Sequence, residues 1–448
     1  MVLVVSDCFH SVRLIANRCQ GCVNCIKKCP TEAIRIRSGK ARIIEARCID
    51  CGECIRCCPS HAKTAVTDSL ADLENFRYNI ALPAPSLYAQ FPVEYPIESI
   101  LCGLLNIGFD EVFEVAHGAE IVSLAIRDYL QRSDIPRPAI SSSCPAVVRL
   151  IQVKYPELIA HLVPIDAPVE VAARIVRTEA AKTQKLDPEE IGVWFISPCA
   201  AKMTAVQQPL GSEKSNITGA IGISKLYSAL LKALRKGAQD STQCKRASWV
   251  GVGWAMAGGE TIAVEASNAL VVHEIHNVNE MLEQVVMGKL AGIQYIEALA
   301  CSGGCIGGPL TVENRFVAEY CMQKRAKRMA EEDKISGILP HQAYLESQLG
   351  VDERRAIEPR PILRLDEDIF KAMYKVEIME KMLETLPGLD CGSCGSPSCK
   401  ALAEDIVQGS ATEADCVFKL REHVRDLARE MVNLAEKLPP PLDKEAKE

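Results

Sequence analysis

Cysteine at close, regular spacing is the feature of this chain with the clearest chemistry. Cys19, Cys22, Cys25 and Cys29, followed by Pro30, recur after 29 residues as Cys48, Cys51, Cys54 and Cys58, followed by Pro59. Three motifs lie in the middle of the chain: Ser141-Ser-Ser-Cys144-Pro145, Ser197-Pro-Cys199-Ala-Ala-Lys202, and Glu297-Ala-Leu-Ala-Cys301-Ser-Gly-Gly-Cys305-Ile-Gly-Gly308. A last set, Cys391, Cys394, Cys399 and Cys416, lies near the end. Thiolates are soft ligands, and at three-residue spacing they turn into one loop, which suits a metal better than paired disulfides. The chemistry open to such sets is electron transfer at iron–sulfur clusters or structural zinc binding. Zinc fits the two interlocked runs poorly and is the more serious competitor at the isolated C-terminal set.

Several elements must position these residues. At 448 residues the chain exceeds what one hydrophobic core serves, so about two to four domains are expected. Residues 1–66 read as a small cysteine-rich domain and 67–79 as a linker. From 80 to 350, short apolar runs alternate with amphipathic stretches, the pattern of an α/β domain. Ile191–Ile196 and Val271–Ile275 read as strands, Ser224–Lys236 and Asn277–Met287 as helices, and 294–300 as a further strand. All three central motifs then follow strands. Ligand sites in open α/β sheets gather at the carboxyl ends of strands, so the three loops can converge on one four-cysteine site. Residues 365–416 form a small cysteine domain. An amphipathic helix over 417–438 follows, with apolar residues at Val417, Leu420, Val424, Leu427, Met431, Leu434 and Leu438. That alternation suits either packing on its own domain or a short coiled coil that makes a homodimer.

Composition narrows the function class. There are 21 cysteines and a formal net charge of −7, which argues against nucleic acid as the main partner. The first 60 residues hold ten Lys/Arg against five Asp/Glu. Two oxidised clusters with four thiolates each would carry about two negative charges apiece, and a basic frame compensates them. No apolar run of about 18 residues suggests a membrane span, and the N-terminus does not read as a secretory signal, so a cytoplasmic protein is expected. Cys8, Cys57, Cys102, Cys244 and Cys321 fit no motif; most read as small buried hydrophobes, with Cys321, in a basic stretch, the candidate for exposure.

The first 66 residues resemble a bacterial two-cluster ferredoxin. The resemblance implies one 4Fe–4S cluster on Cys19, Cys22, Cys25 and Cys58 and another on Cys48, Cys51, Cys54 and Cys29. The C-terminal spacing resembles the four-cysteine iron–sulfur domain of Rnf electron-transfer complexes. The central motifs resemble the signatures of FeFe hydrogenases over roughly residues 80–320. That resemblance implies a fourth 4Fe–4S cluster on Cys144, Cys199, Cys301 and Cys305, with Cys305 bridging to a two-iron subsite that carries CO, cyanide and a dithiolate, the two together being the H-cluster. It implies that Lys202 hydrogen-bonds a cyanide, and that Gly303 and Gly304 let the backbone approach the cluster. The substrates implied are H₂ and protons, in an anaerobic setting.

The chain departs from efficient members of that family at four positions. Ser143 stands where their proton-relay cysteine stands, Ser197 and Leu299 replace methionines beside the cluster, and Ala205 replaces a glutamate. Every implied cluster ligand is present while the relay is altered. The expectation is therefore a low-turnover, H₂-sensing hydrogenase, similar to the sensory members of the family, with an unidentified redox partner. The alternatives are a non-catalytic cluster-assembly scaffold and a plain electron-transfer subunit.

Overall fold

The computed structural model describes residues 9–236, 246–336, 356–360, 365–366 and 368–437; Cys8, Cys244 and Leu438 lie outside them. The chain divides into two compact units, one of Met1–Ile15 with Glu45–Ile362, the other of Ala16–Ile44 with Leu363–Glu448.

The larger unit is built on two parallel sheets. In the first, strands Glu111–Val112, Tyr78–Pro83, Ile191–Ser197 and Gly219–Gly222 lie in that order. In the second the order is Ala269–His273, Tyr295–Leu299, Ala139–Ile140. Every residue of Ile191–Ser197 is buried, as an unbroken apolar run in a covered parallel sheet should be. The strand–helix–strand reading near residue 270 is realised as strand Ala269–His273, helix Ile275–Val286 and strand Tyr295–Leu299. Helix Ile223–Arg235 buries Ile223, Leu226, Leu230 and Leu234, a stripe at three- and four-residue steps. The stretch expected to be a linker is more ordered than that: Leu70–Asn75 is a 3-10 helix behind a Ser69–Asp72 capping box, and Tyr78 and Asn79 already belong to a central strand. Cys321 is buried, not exposed, because its helix packs into the core beside Ala318 and Met322.

The smaller unit holds the hairpin Ile34–Arg37 with Lys40–Ile43, turned by Ser38 and Gly39, both at positive φ. It also holds helices Ile369–Thr385, Cys399–Val407 and Val417–Ala435. Val417–Ala435 buries none of its residues, and Val424 and Met431 are 57% and 71% exposed. Packing within its own unit therefore does not absorb the apolar seam. Among the described residues no helix is long and apolar enough to cross a membrane.

Candidate functional site

Each central motif sits at the carboxyl end of a strand, and the strands come from both sheets. The Ser141–Cys144 loop follows Ala139–Ile140 and the Cys301–Cys305 loop follows Tyr295–Leu299 in one sheet; Pro198–Cys199 follows Ile191–Ser197 in the other. Cys144 and Cys199 are N-cap residues of helices Pro145–Lys154 and Ala200–Gln207. That position orients each thiol toward the loops and lends it the positive end of a helix dipole.

The three loops line one cavity, whose atom-free space of about 880 Å³ includes solvent at its mouth. Cys144, Cys199, Cys301 and Cys305 all line it, as do Ser143, Lys202, Leu299 and Gly304. Gly304 sits at φ +92°, and a Cβ there would lie 2.7 Å from the Ala257 nitrogen and 2.8 Å from the Ala255 carbonyl oxygen, so only glycine fits. Gly303, at φ +73°, accepts a hydrogen bond from the Ala257 N–H at 3.1 Å, which ties the cysteine loop to its neighbour. Ser197 does not line the cavity. It is fully buried and holds the Cys199 turn, accepting from the Cys199 N–H at 3.1 Å and donating to the Cys199 carbonyl at 3.2 Å.

The four thiols fit a cationic cluster. Burial pushes the Cys144 and Cys199 thiols up, and the neighbouring Cys301 adds to both shifts. Burial pushes Cys305 up to about 12 against the pull of the Lys202 ammonium. Cys144, Cys199 and Cys305 therefore stay protonated unless a metal displaces their protons. Lys202 Nζ lies 3.5 Å from the Ser143 carbonyl oxygen and 5.7 Å from the Phe195 ring centroid. It is the one ammonium lining the cavity among the described residues.

A buried carboxylate network that the motifs did not reveal stands behind Ser143. Ser143 Oγ donates to Glu260 Oε1 at 3.1 Å, and the same carboxylate accepts from Ser141 Oγ at 2.8 Å and from the Tyr295 hydroxyl at 2.6 Å. Glu260 lines the cavity and is 2% exposed. Burial, then the nearby Glu297, push Glu260 up to about 7. Glu297 is itself fully buried and accepts from the N–H groups of Gly258 and Thr261, each at 2.8 Å, and from Thr261 Oγ1 at 2.7 Å. The sequence carried one signal for this network: Glu297 interrupts an otherwise apolar strand.

The cysteine loop of residues 48–54 touches the cavity. Cys51 lines it, and Arg56 Nη1 donates to the Gly307 carbonyl at 2.9 Å. Gly52 lies against Pro309, leaving no room for a side chain. In the smaller unit, Cys394, Cys399 and Cys416 gather around Leu386, Leu402 and Ala403, while Cys391 is exposed. The two repeats match in detail, each aiming a backbone N–H at its last cysteine: Ala33 N–H at Cys29 Sγ and Ala62 N–H at Cys58 Sγ, both 3.2 Å.

The sequence profile of the iron-only hydrogenase large subunit, C-terminal domain, matches residues 77–259 and 229–309. A 4Fe-4S dicluster domain matches 11–59 and an Fe-S cluster domain 386–418. The periplasmic Fe hydrogenase large subunit of Nitratidesulfovibrio vulgaris is 26% identical over 364 residues, covering 67% of this chain and 86% of its own. A component of the ion-translocating oxidoreductase complex of Rhodobacter capsulatus is 44% identical over 39 residues, 9% of this chain and 21% of that one. A variant FeFe-hydrogenase from Chlamydomonas reinhardtii aligns with a TM-score of 0.48 at 14% identity, over 65% of this chain and 98% of its own. Three loops that bring four cysteines and a lysine to one cavity coincide with the span of the hydrogenase match, and the chain belongs to the iron-only (FeFe) hydrogenase family of iron–sulfur proteins.

Proposed function

We propose that the chain is a low-turnover FeFe hydrogenase that responds to H₂ and passes electrons through accessory 4Fe–4S clusters to a separate redox partner. The observation that carries the reading is the single cavity shared by Cys144, Cys199, Cys301, Cys305 and Lys202. The four cysteines would hold a cubane cluster, and Cys305 would share its sulfur with a two-iron subsite. Such a subsite supplies heterolytic cleavage of H₂ when bound. The chain's own residues do the rest. Lys202 offers an ammonium to an anionic ligand in a dry pocket, where a charged hydrogen bond is strong. The lining, Leu299 included, is mostly apolar and disfavours water beside the site. Ser143 relays a proton between the cavity and Glu260, whose near-neutral affinity lets it both take and give one. Cys48, Cys51, Cys54 and Cys29 would hold a cluster that supplies electron transfer, and Cys51 brings its loop to the cavity wall.

The second reading is a non-catalytic relative that holds only cubanes. Ser143 and Ala205 favour it, because both replace groups through which efficient members move protons. Infrared spectroscopy of the chain matured with a synthetic two-iron complex separates the two. Intrinsic CO and cyanide bands that shift on addition of H₂ are expected. Absence of these bands in a sample with full cubane iron sinks the hydrogenase reading and leaves the electron-transfer one.

A further inference from the structure

Within the smaller unit, the C-terminal cysteine loop is fastened to the hairpin that follows the first cysteine run. Asp405 Oδ2 accepts from Arg35 Nε at 2.6 Å, from Arg37 Nη2 at 2.7 Å and from Ser396 Oγ at 2.7 Å. Asp405 and Arg35 are each 4% exposed. Arg37 Nη1 also donates to the carbonyl of Cys394 at 3.3 Å. The edge of the hairpin adds a backbone bond, Ile36 N–H to the Gly395 carbonyl at 2.7 Å. A Cβ on Gly395 would lie 2.1 Å from the Ile36 carbonyl oxygen, so the approach is closed to any other residue. At the other end of the loop, Lys27 donates to the carbonyl oxygens of Asp390 and Pro397. The Cβ position of Gly392 falls 3.3 Å from Ile26 Cδ1 and 3.7 Å from Val23 Cβ. Val23 and Gly392 each lie between two ligand cysteines, Cys22 and Cys25 in one loop and Cys391 and Cys394 in the other. A methyl at Gly392 would thus crowd Ile26, and the two cysteine loops approach each other closely.

A buried ion pair is weak evidence for stability, because desolvation offsets much of its attraction. Here it sets the geometry of two cluster-binding loops. We infer that Asp405, Arg35 and Arg37 form a clamp that docks the loop of Cys391–Cys399 onto the loop of Cys19–Cys25, so that the clusters they hold exchange electrons directly. In the step one reduced cluster loses one electron and its oxidised neighbour gains it; no bond or proton changes place. The inference rests on the cluster assignments of the proposed function but not on H₂ chemistry, and dithionite serves as the reductant in its test.

The test is electron paramagnetic resonance of the full-length chain, reconstituted with iron and sulfide and fully reduced. Magnetic interaction between neighbouring reduced clusters should split or broaden the signal of the cluster on Cys19, Cys22 and Cys25. Cys394→Ser, which removes the C-terminal cluster, should narrow that signal. Identical line shapes in the two proteins would show that the clusters are not neighbours and overturn the inference. Asp405→Asn should weaken the interaction while iron per chain stays at the wild-type value. If that variant loses iron, Arg37→Gln, which removes one guanidinium and no sulfur ligand, is read in the same way. Full interaction with full iron in either variant would remove the clamp from the account.

Discussion

Ser143 and Glu260 make the sharpest test at the scale of single residues. A cysteine at 143 carries a thiol with a pKa near 8.5, far closer to a carboxyl at about 7 than a hydroxyl is. Ser143→Cys is expected to raise H₂ evolution about tenfold, about 1.4 kcal/mol of barrier, with only small shifts in infrared bands. An unchanged rate at equal two-iron occupancy would mean that proton relay does not limit the site. Glu260→Gln keeps the shape and removes the proton exchange, so turnover should fall about 100-fold. The sign with pH follows from the raised affinity. Below about pH 7 Glu260 carries the proton it must donate toward Ser143, and above it the carboxylate cannot donate. Evolution by the wild type should therefore decline as pH rises through about 7, and the Gln variant should lack that inflection. Lys202→Ala removes a charged hydrogen bond of about 1.5–3 kcal/mol, so two-iron occupancy after maturation should drop well below that of the wild type. The cysteines and Lys202 were legible in the sequence because spacing alone marks them. Glu260 was not: a glutamate after two glycines has no distinctive spacing, and only the fold brings it to Ser143.

Elements decide whether those residues meet. Gly304 adopts a backbone conformation that an L side chain rarely takes, and its approach to Ala255 and Ala257 leaves no space for a Cβ. Gly304→Ala should cost more than the roughly 1–2 kcal/mol of the backbone term alone and should lower cubane iron at the central site while the accessory clusters remain. Equal iron in both proteins would show that the loop relaxes freely. Two of the strands that carry the motifs, Ile191–Ser197 and Tyr295–Leu299, could be read from their apolar runs, while Ala139–Ile140 is too short to show one. That they divide between two sheets could not, since strand order is set by long-range packing that no local pattern encodes. The helix Val417–Ala435 was legible in its three- and four-residue steps, but its partner was not. Leu420, Val424, Leu427 and Met431 are all exposed, so none of the described residues of the smaller unit covers the seam. Truncation after Cys416 should halve the mass seen by light scattering; an unchanged mass would exclude a dimer through this helix.

On the scale of the whole molecule the clusters should be separable. Sixteen ligand cysteines in four sets predict four cubanes, and Cys394→Ser should remove about four irons per chain while the infrared response to H₂ persists. Loss of that response would mean that the central site depends on the C-terminal cluster for more than electron exit. Contacts group Ala16–Ile44 with the segment from Leu363 onward. The reason is physical. The hairpin of residues 34–43 finds its buried ion pairs with Asp405, some 370 residues away, and sequence proximity has no bearing on which carboxylate neutralises a buried arginine.

That pairing of early with late residues has a consequence in time. A ribosome delivers Ala16–Ile44 well before the segment from Leu363 onward, with about 320 residues between them. At roughly 5–20 residues per second the interval is roughly 15–60 s. For that period Arg35 and Arg37 have no Asp405, the Ile36 N–H has no Gly395 carbonyl, and Cys19, Cys22, Cys25 and Cys29 stand beside an unfinished surface. The cysteine loop of residues 19–29 is thus made long before the residues that enclose it.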